Sequence, residues 1–166
     1  MNPTEQAMQA VVEETFATLA FMFPLDADRT AAAAPGTMAR AVVEFSGPFR
    51  GALLLSASAE ILEPLATNML GLEDGTCPSP EQEHDAFKEL LNVICGHLLP
   101  VIASPRQVFD VHEPRLLAEG DDCRPTVGLE HLGTVGVDLD TGHIRLTLLA
   151  ENQPTTAETA PGGIQA

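Results

Sequence analysis

Asp85, Glu89, Asn92 and Gly96 are spaced by four, three and four residues, so on a helix they gather on one ridge within roughly 60° of one another. The ridge sets a carboxylate beside a carboxamide, with a glycine one turn further on. A carboxamide is uncharged and offers both a donor and an acceptor, so it can hold a water molecule, while a neighbouring carboxylate can pair with a cation. Two of these choices are unfavourable for a helix. A glycine in a helix interior costs about 1 kcal/mol relative to alanine, and asparagine is a poor helix former where it has no cap to make. The plain alternative is that Asp, Glu and Asn are simply solvated on the outer face of an amphipathic helix.

The element that must carry these residues is a helix over Ser79 to Leu99. Ser79 is a good N-cap, Pro80 suits the first helical position, and Gln82 stands where a capping-box partner reaches back. Phe87, Leu90, Leu91, Ile94, Cys95, Leu98, Val101 and Ile102 fall on the opposite arc and predict the buried stripe. Pro100 should bend or finish the helix, and Pro105 should stop it. Earlier in the chain, Met8, Val12, Phe16, Leu19 and Phe23 predict a helix from Glu5 to about Phe23, ended by Pro24. A loop over 24–37 follows. Val42 to Phe45 and Phe49 to Ser56 read as a hairpin turned at Ser46-Gly47-Pro48, its second strand central in a sheet because Leu53-Leu54-Leu55 is apolar on both faces. Ser58 can cap a helix to Leu70, closed by Gly71, with Pro64 as a kink or a second start. Strands are predicted at Gln107 to His112, Thr126 to His131, Thr134 to Leu139 and His143 to Leu149, with turns at Leu132-Gly133 and Asp140 to His143. The fold class is therefore α+β, a mostly antiparallel sheet with three helices packed across it. Residues 1–150 read as one domain and 151–166, nearly free of large apolar residues, as a disordered C-terminal tail.

The chain has 166 residues, 45% of them hydrophobic, which suits one domain with a full core. There is no Trp or Tyr, so platforms for stacking bases are missing. The 24 acidic residues outweigh 8 basic ones for a formal net charge of −16, which disfavours nucleic acid and anionic membranes as partners and favours basic protein surfaces. Cys77, Cys95 and Cys123 form no CxxC pair, and no histidine pair has metal-ligand spacing. Cys95, on the core arc, reads as an inert thiol. No run of 18 apolar residues is present, and a reducing cytoplasm is the expected compartment.

Asp85-x-x-x-Glu89-x-x-Asn92 followed by Gly96 resembles the signature of the CheC/CheX/FliY family of chemotaxis phosphatases, which continues to a proline a little over twenty residues later. Pro114 stands one residue short of that place. The stretch Phe45-Ser46-Gly47-Pro48-Phe49-Arg50-Gly51 is similar to the family's F-x-G-x-x-x-G hairpin. The order of elements over residues 5 to 150 fits the CheX-like branch. Two-site members carry a second Glu-x-x-Asn on the first helix; Glu13-x-x-Phe16 and Glu14-x-x-Ala17 lack the amide, so this chain resembles a single-site member.

The resemblance implies a phosphatase that removes phosphate from the aspartyl-phosphate of a CheY-like response regulator receiver domain. Asn92 would position the attacking water and Glu89 would pair with a lysine of the regulator. Asp85 would support docking at the rim, and Gly96 would let the regulator's loops approach. Mg²⁺ is expected on the partner regulator, with no cofactor in this chain, and a homodimer is implied by the CheX-like branch. A non-catalytic CheX-like module that binds a receiver domain or self-associates, and a small-molecule sensor domain, are the competing expectations.

Overall fold

A computed structural model describes residues 1–25, 37–118 and 128–151. Asn2 opens helix α1 (Pro3–Ala20) with a full capping box, its side chain accepting from the Glu5 amide at 2.7 Å while the Glu5 carboxylate accepts from the Asn2 amide. The helix ends short of the predicted Phe23, because Phe21 turns left-handed at φ 55° and the Met22 amide donates back to the Phe16 carbonyl. Phe23, expected on the buried face, is consequently 63% exposed, whereas Met8, Val12 and Phe16 are buried.

Strands β1 (Met38–Ser46) and β2 (Gly51–Ser58) form the predicted hairpin, paired from Met38 with Ser58 to Phe45 with Gly51. Its two glycines are required by close approach. A Cβ on Gly51 would meet the Phe45 ring and lie 2.7 Å from the Leu149 carbonyl, and one on Gly47 would lie 2.8 Å from the Val108 carbonyl. Ser58 does not cap the next helix. Its Oγ accepts from the His143 amide at 3.0 Å, and a short 3₁₀ turn (Ala59–Ile61) leads into α2 (Leu62–Leu70). Pro64 therefore falls in a first turn, where its missing N–H costs nothing, and Gly71 closes the helix as predicted.

Helix α3 (Pro80–Ile102) starts with the expected Ser79/Gln82 capping box and runs through Pro100 for two more residues. Buried Leu98 and Leu99 hold this last turn against the core, but Val101, predicted on the apolar arc, is 59% exposed.

The later strands are β3 (Asp110–Val111), β4 (Arg115–Leu117), β5 (Leu129–Leu139) and β6 (Gly142–Glu151). The sheet order is β3-β1-β2-β6-β5, with β4 also on β1, and every pairing is antiparallel. Three helices and a six-stranded antiparallel sheet make the α+β class expected, with β2 central. The predicted turn at Leu132-Gly133 is instead a bulge inside one strand, since residues on both sides of it pair with β6. Gly133 lets Glu5 and Met8 of α1 press onto the strand there. β4 lies where the sequence pattern predicts no strand, and the predicted strand at Gln107 to His112 shrinks to two residues. Glu151 ends β6 and is tied to Arg50 (Nε to Oε2, 3.1 Å), so it is not the start of the tail. The rest of the predicted tail, residues 26–36 of the predicted loop, Cys123 and the start of the predicted strand at 126–127 lie outside the described residues.

The helices cover one sheet face, burying Val43, Leu53, Leu55, Leu146 and Leu148 against Phe16, Phe87 and Leu91. A smaller apolar cluster of Val42, Ala52 and Leu117 sits on the other face. The free side of β5 is partly closed, with the Thr134 amide donating to Glu5 at 3.2 Å and the Leu25 amide to the Asp138 carbonyl at 2.9 Å. An edge-to-edge dimer there would find fewer open backbone groups. Among the described residues no helix is long and apolar enough to cross a membrane.

Candidate functional site

Helix α3 is held from one side. Phe87, Leu90, Leu91, Ile94 and Leu98 are fully buried, and this fixes the opposite ridge in space. On that ridge Asp85, Glu89 and Gly96 are exposed and Asn92 is half-buried. All four predicted site residues thus share one face, as their spacing requires.

What the spacing could not reveal is the wall across from them. β3 and β4 both pair with β1 but are interrupted by His112, Glu113 and Pro114, where the His112 amide still donates to the Glu44 carbonyl at 2.9 Å. Proline has no N–H for a ladder, so the chain leaves the sheet edge there. Asp85, Lys88, Glu89 and Asn92 from α3, with Val111 to Pro114 from this wall, line an open groove of about 510 Å³. Pro114 therefore faces the Glu89/Asn92 pair. A smaller apolar depression of about 210 Å³ adjoins it through Val111 and is lined by Gly96, Leu99, Pro100, Gln107 and Phe109. The wall is braced by three phenylalanines packed edge to face, Phe45, Phe49 and Phe109, with ring centroids 5.1 to 5.9 Å apart.

Gly96 differs from the hairpin glycines. Among the described residues a Cβ placed on it meets no atom within 4 Å beyond its own stretch of helix, so the packing described there does not require a glycine. Pro100 also has no N–H to offer the Gly96 carbonyl, which leaves bare backbone beside the groove. Asp85, with 70% of its side chain exposed, lies 3.7 Å from the Lys88 ammonium. Cys95, one turn from Asn92 but on the buried face, has its thiol pushed up to about 12 by desolvation and stays protonated.

Lys88, His112 and Glu113 line the groove without having been singled out from the sequence. Lys88 immediately precedes Glu89, and the other two immediately precede Pro114, so the motif's own neighbours were the available signal. Among the described residues no group of three or more His, Cys, Asp or Glu could hold a metal ion. The site can do two things chemically: hold a water at the Asn92 amide and engage a cation at Glu89.

Residues 39–121, half of the chain, match the family model described as chemotaxis phosphatase CheX. The fold is similar to chemotaxis protein CheX from Desulfovibrio desulfuricans, with 18% identity and a TM-score of 0.66 over 90% of this chain and 100% of that one. It is equally similar to CheX from Vibrio vulnificus, at 16% identity and TM-score 0.66 over 90% and 97%. A CheX-CheY-BeF3-Mg complex from Borrelia burgdorferi contains a further likeness, at 15% identity and TM-score 0.66 over 89% and 97%. No curated protein matches in sequence. With the family pattern spread over hairpin, ridge and wall, and the family model spanning half its length, this chain belongs to the CheX family of chemotaxis phosphatases.

Proposed function

We propose that this chain hydrolyses the aspartyl-phosphate of a CheY-type response regulator by carrying Glu89 and Asn92 on α3 into the regulator's site. The observation that carries the reading is that Asn92 and Glu89 stand together in an open groove with Pro114 opposite. Family membership supplies the reaction class, and a relative is found in complex with CheY. A ridge that enters a partner's cleft needs no deep pocket of its own.

In the reaction a water oxygen bonds to phosphorus as the bond to the aspartyl oxygen breaks. The aspartate leaves with that electron pair, and the products are a free carboxylate and inorganic phosphate. Little covalent work falls to the protein, so rate comes from placing the water in line and balancing charge. The Asn92 amide can accept from and donate to that water without adding negative charge beside the phosphoryl group. Glu89, which the phosphoryl group would repel, serves instead as an anchor for a lysine of the regulator. Asp85 contributes at the rim, and Gly96 admits the regulator's backbone close to α3. The Mg²⁺ belongs to the regulator. Residues 1–151 form the working unit, and the free thiols of Cys77 and Cys95 suit a reducing cytoplasm.

Asn92→Ala tests this directly. Phosphate loss from the phosphorylated regulator, timed with the purified variant, is expected to slow about a hundredfold relative to the unaltered chain, with the far-ultraviolet circular dichroism spectrum unchanged. Stimulation at the unaltered rate removes Asn92 from the mechanism.

A further inference from the structure

Resting on the phosphatase reading, we infer that Lys88 is a positioning residue for the phosphoryl group, holding it electrostatically while Asn92 places the water. The inference comes from the charge around the groove. Asp85 and Glu89 on α3 and Glu113 on the wall set three carboxylates around the place where a phosphoryl group would arrive, and Lys88 is the one Lys or Arg among the groove-lining residues. That group brings about two further negative charges. Lys88 offsets part of this chain's own negative charge where the substrate lands.

The geometry suits the role. Lys88 precedes Asn92 by four residues, so the two side chains occupy the same flank of α3, one turn apart. The Lys88 side chain is 31% exposed and lines the groove. Its ammonium is 3.7 Å from Asp85 Oδ1, longer than a hydrogen bond, so its donors can turn to a phosphoryl oxygen without breaking one. Asp85 is exposed enough to return to water when that happens. In the free protein Asp85 keeps the ammonium near the groove, and in the complex the phosphoryl group replaces it as the partner.

The test uses the full chain, Lys88→Gln, Lys88→Arg and Asn92→Ala, with the CheY-type receiver domains encoded in the same genome as probes. Two quantities are read: acceleration of phosphate loss from the phosphorylated receivers, and affinity for a receiver's beryllofluoride adduct relative to the same receiver untreated. Lys88→Gln should lose about tenfold in acceleration and most of its preference for the adduct, while Lys88→Arg keeps both. Asn92→Ala should lose acceleration but keep the preference. Lys88→Gln equal to the unaltered chain in both readouts overturns the role of Lys88 and leaves the phosphatase reading standing. An unaltered chain that accelerates none of the receivers overturns both.

Discussion

Gly96 and Asn92 are both poor helix residues placed inside a 23-residue helix, where each costs helix stability. For Gly96 the open space around its Cα makes this measurable. Gly96→Ala is expected to stabilise the chain by about 0.5–1 kcal/mol, a rise of roughly 1–4 °C in melting temperature for a chain of this size. The same methyl group should weaken docking to the phosphorylated regulator. A variant that melts higher and still docks with unaltered affinity excludes Gly96 from the contact. Cys95 shows the opposite case on the same helix, a residue whose burial and protonated thiol are explained by packing alone.

At the scale of elements, the site is a ridge and a wall with separate supports. The ridge is built by α3, whose start at Ser79 and buried stripe follow from local rules of capping and periodicity. The wall depends on the β1–β2 hairpin, through Gly47, on which a Cβ would lie 2.8 Å from the Val108 carbonyl, and through the three-phenylalanine cluster. Gly47→Ala should push the 107–114 segment away from the hairpin, costing about 1–3 kcal/mol in denaturant unfolding and slowing phosphate release through a displaced wall. If stability and rate both stay unchanged, the wall does not depend on this approach. The elements least legible in the sequence are those set by pairing partners. β5 reads as two strands because Leu132-Gly133 looks like a turn, and only its common neighbour β6 shows that it is one strand with a bulge. β3 and β4 are too short for periodicity to register.

For the molecule as a whole, two half-buried carboxylates tie distant parts of the chain together. Glu5 joins the start of α1 to β5, and Glu151 joins the end of β6 to Arg50 beside the hairpin turn. Hydrogen bonds from the Asn2 and Thr134 amides hold Glu5 below its ordinary 4.5, and the Arg50 amide and guanidinium do the same for Glu151. A carboxyl group with a depressed folded-state pKa contributes stability above its unfolded value and loses it as pH falls through the folded one. Thermal unfolding should therefore show stability declining below about pH 4.5. Glu5→Gln and Glu151→Gln should each melt lower at pH 7 and decline less steeply in acid. Variants that parallel the unaltered chain across the whole range would show that these ties do not hold the ends of the sheet.

By itself the sequence determined what depends on neighbours along the chain: the three helices, the hairpin, the placement of Asp85, Glu89, Asn92 and Gly96 on one face, and the burial of Cys95. Helical spacing and capping act over a few residues, so these features need no knowledge of the rest of the fold. The tertiary structure alone decided that Pro114 stands opposite Asn92, that Lys88, His112 and Glu113 share the groove, and that among the described residues a Cβ on Gly96 would find open space. Those relations join residues about twenty positions apart through the pairing of β3 and β4 with β1, a pairing fixed by hydrogen bonds and packing that leave no local pattern to read.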